Sequence, residues 1–135
     1  MLNNSYNYCT QKKAVEKLAN AVNIRRVSSE QIEEVALKVE ETRLASMGVR
    51  YLPNINAAPS ASKRRWTVNH IRHNLTDYDI KVSELEKLDG DPLLNYSYFK
   101  DLILNRIKQV YPQYSDECDK QSKNLWETFN RELDA

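Results

Sequence analysis

The sequence predicts an all-α fold, a bundle of four or five helices with one long central helix over about residues 62–88. Apolar residues recur every three or four positions along nearly the whole chain, which is the period of an amphipathic helix. The 135 residues include only 2 Gly and 4 Pro, too few for the many turns of a β-sandwich. At this length we expect a single domain, residues 1–135, that folds without a disulfide framework or a structural metal.

The first two helices are predicted over residues 10–23 and from Ser28 to the residue before Gly48. The first helix has one apolar stripe, formed by Ala14, Val15, Leu18, Ala19 and Val22. Ser28 and Gln31 have the spacing of a capping box, and Gly48 is typical of a C-terminal stop. The buried face predicted for the second helix consists of Ile32, Val35, Ala36 and Val39.

The long central helix is predicted from an unbroken heptad seam. Its apolar positions are separated by 3, 4, 3, 4 and 3 residues: Val68, Ile71, Leu75, Tyr78, Val82 and Leu85. One helix over 62–88, ended by Gly90, is the simplest interpretation. A break at Thr76 and Asp77 is the alternative, because that pair could cap a new helix. An irregular connector at residues 49–61, which contains two prolines, precedes this helix.

The last two helices are predicted to begin near Asp91 and Ser115. Asp91 and Pro92 provide a cap and a proline at the first helical position, and this helix ends before Pro112. Its apolar stripe consists of Tyr96, Phe99, Ile103, Ile107 and Val110. The residues of the final helix predicted to face the core are Cys118, Leu125, Trp126, Phe129 and Leu133.

The charges of the chain are segregated, although 20 Lys and Arg against 19 Asp and Glu give a net charge of only +1. The 34 residues from Arg43 to Thr76 contain no acid and six cations, Arg43, Arg50, Lys63, Arg64, Arg65 and Arg72. This block predicts an anionic partner for the middle of the chain, either nucleic acid or an acidic protein surface. In the alternative, the acidic helices on both sides fold against the block and neutralise it internally.

A second set of side chains lies opposite the core seam of the long helix. At about 100° per residue, His70, His73 and Asp77 fall within about 40° of Trp66. Because Trp is unusual on an outer face, either the helix is covered on both faces or this face binds a partner. Trp66 can stack on a base, and the neighbouring polar residues can reach phosphates or base edges. The predicted nucleic-acid-binding residues are Lys63, Arg64, Arg65, Trp66, Asn69, His70, Arg72 and His73.

Two further interpretations of these residues are a metal site and a ribonuclease site. His70, His73 and Asp77 could supply two nitrogens and one oxygen to a metal, but a fourth ligand is not visible, so we expect no metal and no cofactor. The Arg65-x4-His70 spacing resembles the motif of the HEPN family of all-α ribonucleases. This resemblance implies a dimeric RNA-cleaving protein with Arg65 and His70 at a shared cleft.

The cysteines and the N-terminus predict a compartment. Cys9 and Cys118 are far apart in the sequence, and residues 1–10 contain no hydrophobic stretch. We therefore expect a cytoplasmic protein with two unpaired thiols. No apolar run is long enough to cross a bilayer, and no membrane partner is expected.

These patterns favour a small non-enzymatic protein that binds nucleic acid, or serves a nucleoprotein complex, through residues 63–73. The alternative is a protein–protein adaptor or a dimerising subunit that uses the face of Trp66, His70 and His73. A homodimer along that face is its simplest form.

Overall fold

The computed structural model describes residues 11–49 and 54–134, and helices dominate both ranges. The α-helices in these ranges are α1 (Lys12–Ala21), α2 (Ser29–Ser46), α3 (Ser60–Asn74), α4 (Tyr78–Leu85), α5 (Pro92–Val110) and α6 (Ser115–Asp134). Two short 3-10 turns, Ile55–Ala57 and Pro112–Tyr114, precede α3 and α6. The predicted all-α class is confirmed. Cys9 and residues 50–53 of the predicted connector lie outside the described residues.

The helix at the centre of the bundle is α5, and not the helix predicted over 62–88. It contacts α1, α3, α4 and α6. Its fully buried apolar side chains are Phe99, Ile103, Leu104 and Ile107. The helix begins as predicted, because the carboxylate of Asp91 accepts a hydrogen bond from the backbone N–H of Leu93 (2.9 Å) and Pro92 occupies the first turn.

The prediction of one continuous helix over 62–88 is wrong, and the alternative of a break is correct. Helix α3 ends at Asn74 and α4 begins at Tyr78. The segment between α1 and α2 crosses the chain at this point. The backbone N–H of Arg25 donates to the carbonyl of Leu75 (2.8 Å), and that of Asn23 donates to the Asp77 carboxylate (2.9 Å). Because this segment supplies partners to residues 75–77, the helix can end there without leaving those groups unpaired.

The predicted buried face of α2 is partly wrong. Ile32, Ala36 and Leu37 are buried, but Val35 and Val39 are 47% and 44% exposed. The described contacts of α2 are with α3 and the 55–57 turn, on one side, so only a narrow stripe is covered.

The C-terminal end of α2 agrees with the prediction, whereas its N-terminal cap does not. Ser28 is the N-cap residue, but its hydroxyl makes no capping hydrogen bond, so the predicted capping box does not form. The helix stops at Gly48 as predicted, with a φ of +79° that glycine adopts readily.

The buried faces of α5 and α6 are also narrower than the faces that their apolar residues predict. In α5, Tyr96 is exposed. In α6, Cys118 and Phe129 are buried, whereas Leu125, Trp126 and Leu133 are only half-buried. Cys118 is a free thiol, and burial raises its pKa to about 12, so it is protonated and unreactive at neutral pH.

Candidate nucleic-acid interface

Helix α3 forms the wall between two surface grooves. The α2/α3 groove has a volume of about 440 Å³, and α2 contributes Ala36, Val39, Glu40 and Arg43 to its lining. The α3/α6 groove has a volume of about 520 Å³ and is lined by α3, α5 and α6. Arg65, Asn69 and Arg72 of α3 line both grooves.

Six of the eight predicted binding residues line the α2/α3 groove. These are Arg65, Trp66, Asn69, His70, Arg72 and His73. Lys63 and Arg64 do not line it. The guanidinium of Arg64 donates to the backbone carbonyl of Gln113 (3.1 Å), at the turn before α6. The predicted ridge is therefore divided, with its first two cations outside the groove.

Trp66 is half-buried in the α2/α3 groove and lies outside the hydrophobic core formed by the described residues. The guanidinium carbon of Arg65 lies 5.9 Å from the centroid of the Trp66 ring, within the range of a cation–π contact. The side chain is thus neither a core residue nor a fully exposed one. It is an aromatic surface at the wall of a groove, beside an exposed cation.

The cations of α3 are not neutralised by the acidic helices around them. Within residues 11–49 and 54–134, Lys63, Arg64, Arg65 and Arg72 form no ion pair with a carboxylate within 4.0 Å. Helix α2 packs against α3, but its Glu40 pairs with Arg43 of α2 itself. Four of the six cations of the acid-free block are therefore without a direct carboxylate partner in the described ranges.

Arg72 is the most buried of these cations, with 7% of its surface exposed. Its guanidinium lies over the ring of Tyr78, 5.5 Å from the centroid, and donates to the side-chain oxygen of Gln121 (3.2 Å) and to Nε2 of His73 (3.1 Å). Gln121 and His73 are each in turn bonded to a carboxylate. Gln121 donates to Glu117 (2.9 Å), and Nδ1 of His73 lies 2.9 Å from Asp79.

This chain of contacts fixes the tautomer of His73. Since a guanidinium has donors and no acceptor, Nε2 of His73 has to accept the hydrogen bond from Arg72. The ring proton is then on Nδ1, from which it is donated to Asp79. Through these two hydrogen bonds His73 connects α3 to the start of α4.

The three side chains considered as metal ligands form separate hydrogen bonds. Nδ1 of His70 is hydrogen-bonded to Asn74 (3.1 Å), His73 to Asp79, and Asp77 to the backbone of Asn23. No group of three or more His, Cys, Asp or Glu residues in the described part of the chain is placed to hold a metal. Burial, and then the charge of Arg25, lowers the pKa of His70.

Lys100 is a cation of the α3/α6 groove that sequence reasoning missed. The residue is half-buried, and its ammonium group forms no ion pair with any described carboxylate. Burial, and then the charge of Arg72, lowers its pKa to about 8. A signal was present in the sequence, because Lys100 lies at helical spacing between Tyr96 and Ile103 on the apolar stripe of α5.

No protein-family model, characterised protein or solved structure matches this chain. None of the helices within 11–49 and 54–134 has both the length and the apolar character needed to cross a bilayer. The chemistry of the two grooves is therefore the basis for any statement about what the chain binds.

Proposed function

We propose that this protein binds single-stranded nucleic acid through α3 and that it does so without catalysis. The observation that carries the proposal is the set of α3 cations, none of which is paired with a described carboxylate. Cations without a carboxylate partner attract phosphates, and the attraction acts over roughly a Debye length, about 8–10 Å at physiological salt. The near-neutral total charge implies a local site with modest affinity.

A single strand suits the groove better than a duplex does. Trp66 lies in the wall of the α2/α3 groove, so it can be reached by an unstacked base but not by the paired edge of a double helix. Arg65 beside it can hold the adjacent phosphate, and Asn69 one turn along can donate to a base or a sugar. Stacking and phosphate contact together give binding with little dependence on sequence.

The test is fluorescence anisotropy with a labelled single strand of about 12 nucleotides, RNA and DNA in turn. We expect a Kd on the order of 10 µM at low salt. Between about 50 and about 200 mM salt the affinity should fall about twentyfold if three phosphates are contacted. Replacing Arg65 with Gln should reduce the slope of log K against log salt by about 0.7, the share of one phosphate.

The matched control is Arg131→Gln, which removes the same charge from an exposed position of α6 that lines neither groove. Equal salt slopes for the two variants would rule out a local site at α3. The absence of binding at low salt with either nucleic acid would refute the proposal. Intact RNA on a denaturing gel after the assay is expected. Cleavage that is lost in His70→Ala would instead favour the ribonuclease interpretation of Arg65 and His70, which line one groove.

A second candidate function is self-association through α2. Val35 and Val39 are exposed, and Glu34 and Lys38 beside them form an ion pair at i, i+4 (3.6 Å). A strip with apolar residues and both signs of charge is self-complementary across a two-fold axis, so we propose a second copy of this chain as its occupant. Sedimentation should show a concentration-dependent dimer that Val35→Lys abolishes.

Ile80→Lys is the control for this dimer, because Ile80 is 67% exposed on α4 and does not belong to the α2 strip. The dimer should persist in that variant. A monomer at every concentration, or equal loss of the dimer in both variants, would refute self-association through α2.

A further inference from the structure

The α3/α6 groove has an excess of positive charge for which the described residues provide no counterion. The charged side chains that line it are Arg65, Arg72, Lys100, Lys120 and Glu117. Four of these carry a positive charge and one a negative charge. The single carboxylate, Glu117, is buried and accepts a hydrogen bond from the side-chain amide of Gln121 (2.9 Å).

Two of the cations that line this groove, Arg72 and Lys100, are partly removed from water. Arg72 is 7% exposed, and its charge acts on the half-buried Lys100. Neither forms an ion pair within 4.0 Å with a carboxylate in the described ranges. Two like charges in a medium of low dielectric constant repel each other, and burial weakens the hydration that would offset the repulsion. An anion placed between them would relieve both effects.

Neutral polar side chains line the same space. Gln121 donates to Glu117 through its nitrogen, which turns its oxygen toward Arg72. The Nε of Arg72 is buried and has no hydrogen-bond partner among the described residues. Asn69, Asn124 and Thr128 also line the groove. Such a mixture of guanidinium, ammonium, amide and hydroxyl donors recognises the oxygens of a phosphate.

We propose that the α3/α6 groove is a site for a phosphate monoester, whose phosphate group is held between Arg72 and Lys100. With a volume of about 520 Å³ the groove is larger than a phosphate ion, so it can also accept the organic part of a small phosphorylated molecule. The proposal does not rest on nucleic-acid binding by α3, since its central residue, Lys100, belongs to α5 and lies outside the α2/α3 groove.

The first experiment measures binding by the chemical shifts of backbone amides in the full chain. Inorganic phosphate and ribose 5-phosphate should both shift amide signals around Arg72, Lys100 and Gln121. Replacing Lys100 with Gln should weaken the binding of ribose 5-phosphate at least tenfold. The control Lys123→Gln removes the same charge from α6 outside the groove, and its Kd should stay within twofold of the native value.

The sources of the phosphate group are distinguished by four probes, namely inorganic phosphate, ribose 5-phosphate, and a short single strand with and without a 5′-phosphate. Tighter binding of ribose 5-phosphate than of inorganic phosphate supports a small phosphate monoester, and equal affinities would overturn the ester and indicate a site for free phosphate. A strand that binds to this groove only when it carries a 5′-phosphate identifies the end of a nucleic acid. Unchanged amide signals with all four probes, or equal weakening in Lys100→Gln and Lys123→Gln, would overturn the proposal.

A second readout follows the proton on Lys100. Sulfate is a dianion throughout the range from neutral to alkaline pH, so any change in protonation on binding comes from the protein. The ammonium of Lys100 titrates near pH 8 without an anion, and saturating sulfate should raise that pKa because the anion stabilises the charged form. The ¹³Cε signal of Lys100 reports the titration. A pKa that sulfate leaves unchanged would show that the anion does not reach this group.

Discussion

Replacing Lys100 with Met should stabilise the protein, because the native ammonium is held where burial and Arg72 disfavour its charge. The pKa of Lys100 falls from 10.5 to about 8. At 1.36 kcal/mol for each tenfold change in proton affinity, this difference corresponds to about 3 kcal/mol as an upper bound. Since Lys100 is only half-buried, solvent screening reduces the expected gain to about 1–2 kcal/mol at pH 7.

The gain should depend on pH in a definite direction. The unfolded chain binds the Lys100 proton more tightly than the folded chain does, so the free energy of unfolding of the native protein rises with pH between about 8 and 10.5. The advantage of Lys100→Met is therefore largest below pH 8 and shrinks toward pH 10.5. Urea unfolding followed by circular dichroism, at about pH 7 and about pH 9.5, measures both values.

The matched control is Lys108→Met on the same helix. Lys108 forms an ion pair with Asp119 (2.8 Å), and this hydrogen bond raises its pKa, so its removal should not stabilise the protein. If both variants gain equally, the cause is the apolar side chain and not the removal of a disfavoured charge. If Lys100→Met is no more stable than the native protein at pH 7, the reasoning about Lys100 is wrong. A native lysine that lowers stability fits a residue retained for binding.

Three further predictions concern the fold and the groove around α3. Because burial and Arg25 lower the pKa of His70, the native protein should lose stability as the pH falls below about 6.5. His70→Asn should weaken this pH dependence in urea unfolding between about pH 5 and about pH 7. An unchanged pH dependence in the variant would contradict the role of His70. Tyr111→Phe should lower the free energy of unfolding by about 1–3 kcal/mol, because the hydroxyl accepts from the backbone N–H of Val27 (3.0 Å) and donates to the carbonyl of Arg25. An unaltered urea midpoint would show that these two hydrogen bonds do not stabilise the fold. Asp91→Ala should lower the free energy of unfolding by about 1 kcal/mol, because the N-cap hydrogen bond of α5 is lost. Asp91→Asn should retain most of that stability, since the amide oxygen can also accept the bond. Equal losses in the two variants would point to the charge of Asp91 as the cause.

Local periodicity was enough to predict the all-α class and to place most of the candidate residues on one face of a helix. Six of the eight residues predicted around Trp66 line one groove, because their alignment depends only on the geometry of a single helix. The starts of α5 and α6 could also be predicted, because their signals, Asp91 and Pro92 for α5 and Ser115 for α6, lie within the first turn of each helix.

Features that depend on distant segments could not be predicted in this way. The heptad seam continues through residues 75–77, and the helix ends there because the backbone of Asn23 and Arg25 crosses it. Arg72 was placed on the flank of an outer face, but it is buried because Gln121, 49 residues later, and Tyr78 cover it. Val35 and Val39 fit a helical stripe, yet nothing in a single helix shows how wide its covered face is.

The position of α3 between two grooves has a thermodynamic consequence. Arg65, Asn69 and Arg72 each line both spaces, and one side chain cannot direct the same donor to both at once. An occupant of one side that recruits these donors withdraws them from the other side. The two affinities are then linked through a single coupling free energy, and the effect is reciprocal. A base stacked on Trp66 in the α2/α3 groove and an anion in the α3/α6 groove would thus each lower the affinity for the other without touching it.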